Sequence, residues 1–204
     1  MLIKVCGLRV PDQVDALTDQ VDFVGFIFYS KSPRAVEFAP KSMKANRVGV
    51  FVDEELSLVK TYIRSEQLDI VQCHGHESPE YCSELRKHAQ IIKAFGVGPD
   101  FDFKQLSLYT DCVDYFLFDT KTPNHGGSGI RFNWDLLEQY TLEVPFLLSG
   151  GIGSTEIPSI RSFKHPQFAG IDINSRFETE PGDKNIEQIN TFIHEIRTHQ
   201  IAQS

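Results

Sequence analysis

Two side chains in this sequence have the types and settings to move protons. Asp119 closes the apolar run Tyr115-Phe116-Leu117-Phe118, which reads as a buried strand. Tyr115, Leu117 and Asp119 share one face of that strand, so the carboxyl sits where the strand opens. In a partly desolvated pocket its pKa rises and it can donate a proton. The plainer role is a turn cap or a partner for a nearby cation. Cys6 ends the first apolar run. Taken alone, a free cysteine is most often a small buried core residue. To act as a base its thiol, roughly 8.5 unperturbed, must be lowered by a cation or dipole. Lys4 shares the strand face of Cys6 and can contribute, while Ile3 and Val5 take the other face.

Other residues suit anion binding. Gly126-Gly127-Ser128-Gly129 follows Asp119 closely, and its backbone N–H groups can cradle a phosphate. Ser149-Gly150-Gly151 and Asp172-Ile173-Asn174-Ser175 follow two later apolar runs. Small residues let backbone approach a phosphate, and a helix N-terminus adds its dipole. Arg34, held after Pro33, can grip a carboxylate in a bidentate pair, although an exposed arginine is usually solvated surface. Gln72 and His74 share a strand face and would line the pocket. The run Cys73-His74-Gly75-His76, with Cys82, looks superficially like a metal cluster. Successive strand residues point to opposite faces, and standard zinc spacing is missing, so no metal is expected. His125 has no evident partner. An acid, a candidate base and phosphate loops suggest an enzyme acting on a sugar phosphate.

These residues need elements to place them. Candidate strands span residues 2–6, 23–28, 48–52, 70–74, 91–95, 115–119, 145–149 and 168–173. They recur roughly every twenty-five residues, within the range of a βα unit. Candidate helices lie at 12–18, 54–64, 79–88, 103–109, 134–140, 156–163 and 186–199. The segment 30–46 is the weakest, with a short helix at most. Strands alternating with helices predict an α/β protein, a (β/α)8 TIM barrel, with an open doubly wound sheet as the alternative. No Gly-x-Gly-x-x-Gly loop follows the first strand, which argues against dinucleotide binding. Polar residues gather at the C-terminal ends of the strands, where barrel chemistry sits.

Composition sets outer limits. No linker splits residues 1–204, so one compact domain is expected. The net charge of −8 argues against a nucleic-acid footprint. Apolar runs are too short to span a membrane, and the N-terminus lacks a signal-peptide layout, so the expected location is the cytoplasm. Cys6, Cys73, Cys82 and Cys112 show no Cys-x-x-Cys spacing and are expected as reduced thiols.

In order, these motifs resemble the phosphoribosylanthranilate isomerase family over nearly the whole chain. The matching residues include Lys4-Val5-Cys6-Gly7, Ser32-Pro33-Arg34, Val71-Gln72-Cys73-His74-Gly75, Asp119-Thr120-Lys121, Phe132-Asn133-Trp134, Ser149-Gly150-Gly151 and Glu180-Pro181-Gly182-Asp183-Lys184. The resemblance implies a (β/α)8 barrel that uses no cofactor and no metal. It implies an Amadori rearrangement of N-(5-phosphoribosyl)anthranilate, a small phosphosugar, to 1-(o-carboxyphenylamino)-1-deoxyribulose 5-phosphate. Asp119 is then the general acid and Cys6 the general base. Arg34 holds the anthranilate carboxylate. Gly127, Ser128 and Gly129 join Lys4, Gln72 and His74 around the substrate. Gly150, Gly151, Asp172, Asn174 and Ser175 are the implied phosphate contacts. A monomer is expected over a homodimer. Three positions depart from the family pattern: Cys73 replaces a more usual leucine, Ser149 an alanine, and Asn174-Ser175 a pair of serines. A histidine-pathway aminoaldose isomerase would need an aspartate at Cys6, and a catalytically silent barrel would tolerate loss of Cys6 or Asp119.

Overall fold

The computed structural model describes residues 1–41, 44–120 and 132–201, with side chains to 198. Eight parallel strands close into a barrel in sequence order: β1 (Leu2–Val5), β2 (Phe23–Ile27), β3 (Asn46–Phe51), β4 (Ile70–Cys73), β5 (Gln90–Val97), β6 (Tyr115–Thr120), β7 (Phe146–Leu148) and β8 (Phe168–Ile173). β1 pairs with β8 in the register Lys4↔Asp172 and completes the ring. Alternation along each strand divides the apolar residues into two cores. Ile3, Val5, Phe116 and Phe118 point out toward the helices. Cys6, Val50, Ile92, Leu117 and Leu147 fill the barrel. The outer layer is rich in aromatics around β6. Phe118 lies 5.1 Å from Phe146 and 5.4 Å from Tyr140, ring centre to ring centre. Each such buried ring contributes about 1.5–3 kcal/mol, so the strand carrying Asp119 is firmly seated.

Among the described residues five α-helices pack outside: α1 (Pro11–Leu17), α2 (Leu56–Ser65), α3 (Pro79–Arg86), α4 (Ile157–Ser162) and α5 (Ile186–Ile201). Proline at the first turn of α1 and α3 suits a position whose N–H has no helical partner. Ser78 caps α3 by accepting from Tyr81 N–H. Two expected helices, at 103–109 and 134–140, are 3-10 segments instead, Phe103–Tyr109 and Trp134–Gln139. Asp102 and Asn133 accept hydrogen bonds from backbone N–H groups two residues on, which winds both segments tightly from their starts. No helix forms between β2 and β3 among the described residues; Ala35 makes a bridge to Ile27 there. Cys73 faces the helix layer and packs in the core that includes Cys82, so it lies away from the barrel interior.

One element was not foreseen. After β8 the chain forms a two-stranded antiparallel hairpin, β9 (Glu178–Glu180) with β10 (Asp183–Lys184). It turns on Pro181-Gly182. Gln13 of α1 ties it to the barrel, donating to Asp183 Oδ1 and accepting from Lys184 N–H.

Candidate active site

A cleft opens at the C-terminal ends of the strands. It brings together Cys6, Arg34, Gln72, His74, Asp119, Gly150, Gly151, Asp172, Asn174 and Ser175, drawn from six strands or the loops after them. Alternation explains most of the convergence, since all of these residues but Arg34 lie at or just beyond a strand end, while Arg34 comes from the loop after β2. Gly127, Ser128 and Gly129 lie outside the described residues.

Asp119 sits near the end of β6 with about a quarter of its side chain exposed. Burial pushes its carboxyl up to about 6, partly opposed by the Thr120 N–H, which donates to Oδ1 at 2.7 Å; the charge of Asp172 adds to the rise. Gly150 keeps this geometry open. Its φ is +82°, and a Cβ there would lie 2.5 Å from Asp119 Oδ1 and clash with Thr120. His74 stands beside the acid, with Nε2 3.9 Å from Oδ2. Its Nδ1 is 2.8 Å from the Gln72 amide nitrogen. That amide can only donate, so Nδ1 accepts and the neutral ring carries its proton on Nε2, toward Asp119. Gln72 Oε1 is buried without a hydrogen-bond partner among the described residues.

Across the barrel, Cys6 is buried just beyond β1. Burial raises its thiol; the Lys4 ammonium beside it pulls the other way, and Asp172 adds to the rise. Lys4 itself is fully buried. Burial works against its charge, but Asp172 and Cys6 outweigh burial and hold it above its ordinary value. Its Nζ donates to Asp172 Oδ1 at 2.9 Å, and Ser149 Oγ lies 3.3 Å from Oδ2.

These partners bear on four of the expected site residues. Lys4 does not line the cleft; it lies beneath Cys6 and answers Asp172. Asp172 lines the cleft and is the counter-ion of Lys4 inside the barrel, a negative charge that opposes a phosphate placed beside it. Arg34 lines the cleft, but its Nε and Nη2 bind both oxygens of Glu178 at 2.7–2.9 Å, which leaves Nη1 for a ligand. Asn174 Oδ1 accepts from Lys184 Nζ at 2.7 Å. Its backbone and that of Ser175, with Gly150 and Gly151, form the small-residue rim between β7 and β8.

Sequence reasoning gave no role to two charged groups here. Lys184 Nζ lies 2.6 Å from Glu178 Oε1, with both side chains almost wholly buried. Burial raises the Glu178 carboxyl, but Arg34 and Lys184 outweigh it and hold the group below its ordinary value. Burial lowers Lys184, against the pull of Glu178. The available signals were the Pro-Gly turn between them, which marks a hairpin, and the family motif that ends on Lys184.

Among the described residues, no three of His, Cys, Asp and Glu converge on a metal-sized site. No helix among them is long and apolar enough to cross a membrane.

A family profile described as N-(5'phosphoribosyl)anthranilate (PRA) isomerase matches residues 3–195. An N-(5'-phosphoribosyl)anthranilate isomerase from Parabacteroides distasonis is 44% identical, over 96% of this chain and 93% of that protein. The crystal structure of phosphoribosyl anthranilate isomerase from Thermotoga maritima superposes with a TM-score of 0.82 at 31% identity, covering 97% of this chain and all of that one. A structure of the same enzyme type in complex with reduced 1-(o-carboxyphenylamino)-1-deoxyribulose 5-phosphate superposes with a TM-score of 0.79 at 29% identity, covering 97% of this chain and 100% of that one.

Proposed function

The chain belongs to the N-(5'-phosphoribosyl)anthranilate isomerase family and is an isomerase of tryptophan biosynthesis; from that premise we propose that Asp119 is its general acid and Cys6 its general base. The substrate is N-(5-phosphoribosyl)anthranilate and the product 1-(o-carboxyphenylamino)-1-deoxyribulose 5-phosphate. The observation that carries the assignment is a carboxyl raised to about 6 facing, across one cleft, a thiol that touches a buried ammonium.

Asp119 gives its proton to the ribose ring oxygen. The anilino nitrogen supplies its lone pair to C1, the C1–O bond breaks, and a protonated Schiff base forms. His74 Nε2–H then faces a carboxylate that it helps to stabilise. The positive nitrogen is the electron sink for the second step. Cys6, as thiolate, takes the proton from C2, and the C–H pair becomes the double bond of an enolamine. Tautomerisation to the aminoketose moves a proton from the enol oxygen to C1. Return of the proton from Cys6 to Asp119 through solvent resets the pair. Lys4 stabilises the thiolate, and Asp172 keeps Lys4 in place. Gln72 lines the cleft and holds the His74 ring in place beside Asp119. Gly150, Gly151 and the backbone at Asn174 and Ser175 hold the phosphate, and Gly127, Ser128 and Gly129 are the further substrate contacts. Arg34 Nη1 meets the anthranilate carboxylate. One barrel domain over residues 1–204, working as a monomer in the cytoplasm, completes the reading. All the proposed machinery comes from one chain.

The direct test follows the loss of phosphoribosylanthranilate fluorescence. The intact protein should turn it over, and no turnover would overturn the proposal. Asp119→Asn and Cys6→Ser should each lower kcat by about 10²–10⁴-fold with the fold intact. Near-normal turnover by either variant would remove that residue from its role.

A further inference from the structure

Lys184, Glu178 and Arg34 form a separate charge set beside the cleft. Arg34 and Lys184 are cations and Glu178 is an anion, so two positive charges less one negative leave a net charge of plus one. Glu178 receives Arg34 on both oxygens, Lys184 on Oε1 and the Gly182 N–H at 3.2 Å. The set is nearly dry, with the side chains of Lys184, Glu178 and Arg34 0%, 4% and 15% exposed. Arg9 reaches the same hairpin, but it is exposed and hydrogen-bonded to Pro33 O, so solvent screens it. Two further carboxylates line the cleft: Asp172, already answered by Lys4, and Asp119, the proposed acid; Arg176 lines it too, but it is exposed and screened by solvent.

An Arg34–Glu178 pair by itself would be neutral. Worse, it would set a carboxylate close to the place where the substrate's carboxylate must bind, and two anions in a dry site repel strongly. We propose that Lys184 is a specificity-determining residue: by neutralising Glu178 it leaves the positive charge of Arg34 to select a ligand bearing one carboxylate. Glu178 fixes the guanidinium fork, and Lys184 decides whether that fork attracts. The geometry fits this division. Lys184 bridges Glu178 to Asn174 Oδ1 and is fully buried, so it acts through the set and does not itself reach the cleft. Gly7, at φ +71°, makes room for the arrangement, since a Cβ there would lie 2.8 Å from Asn174 Oδ1 and 2.9 Å from Arg34 Cδ.

The inference rests on Arg34 meeting the anthranilate carboxylate. Its test is therefore a binding experiment that needs no turnover. Calorimetry would compare two reduced product analogues, 1-(o-carboxyphenylamino)-1-deoxyribitol 5-phosphate and its N-phenyl counterpart without the carboxylate. The wild type should prefer the first by about tenfold or more, as expected for one charge-assisted contact. Equal binding by the wild type would overturn the inference while leaving the isomerase assignment to the fluorescence assay. Lys184→Met should lose most of that preference without weakening the N-phenyl analogue more than about threefold. Adding Glu178→Gln to Lys184→Met restores a net charge of plus one and should recover part of the preference, which a purely structural role for Lys184 would not do. Glu178→Gln alone, useful if Lys184→Met fails to fold, should keep the preference. An unchanged preference in Lys184→Met, no recovery in the double variant, or loss of preference in Glu178→Gln would each overturn the proposal.

Discussion

Burial raises both groups, which suits Asp119 as an acid and opposes Cys6 as a base. The acid has the lower value, about 6, and the thiol the higher. The reactive form needs a proton on Asp119 and none on Cys6, so it is a minor form at every pH. Its population is constant between the two values, falls below about 6 as the thiolate vanishes, and falls above the thiol's value as Asp119 deprotonates. A plot of kcat/KM against pH should therefore be flat from about 6 to alkaline pH. A narrow bell near neutrality would show instead that Lys4 outweighs burial at Cys6. The same raised carboxyl has a stability consequence. A folded-state value above the unfolded one helps the fold only at acid pH, and that help is lost as pH rises through about 6. Asp119→Asn keeps an acceptor for the Thr120 N–H and cannot ionise. It should be more stable than the parent at pH 7.5, by on the order of 2 kcal/mol, and no more stable below about pH 4. Thermal melts at the two pH values check this.

At the scale of elements, buried ion pairs fix the loops that present these residues. Lys93 on β5 donates to Gly75 O at 2.7 Å and to Glu77 at 3.0 Å, and Glu77 accepts from the Gly75 and Asp53 N–H groups. The turn that follows His74 is thereby locked to β3 and β5. Lys93→Met strands the Glu77 carboxylate and should lower stability by roughly 3–5 kcal/mol in urea unfolding, whereas Lys93→Met with Glu77→Gln should lose clearly less. At the end of β7, Gly150→Ala would push on Asp119 and Thr120, and kcat should fall by about tenfold or more while KM changes little. The strands and their polar ends were readable because period-2 alternation puts Lys4, Cys6, Gln72 and Asp119 on inward faces whatever the rest of the chain does. The partners were not. Arg34 meets a carboxylate 144 residues away, on a strand of three residues too short to leave a pattern. The 3-10 segments were also unreadable, since an apolar spacing of three suits either winding over two turns.

For the whole molecule, one barrel supplies every residue of the proposed chemistry, and size-exclusion chromatography with light scattering should find the mass of a single chain. A dimer would mean that an interface stabilises the barrel, not that it completes the cleft. Barrel closure also imposes an order in time. Lys4 and Asp172 are 168 residues apart in sequence yet bonded inside the ring. At about 5–20 residues per second, a ribosome delivers the carboxylate roughly ten to thirty seconds after the ammonium. Through that interval the first strand cannot seat, because the lysine would enter an apolar interior uncompensated. The nascent chain must therefore hold its N-terminal strand in water until the eighth emerges. A chain released after β7 should bind no product analogue at all, and a separately made β8–α5 segment should restore binding only if it can still reach Lys4.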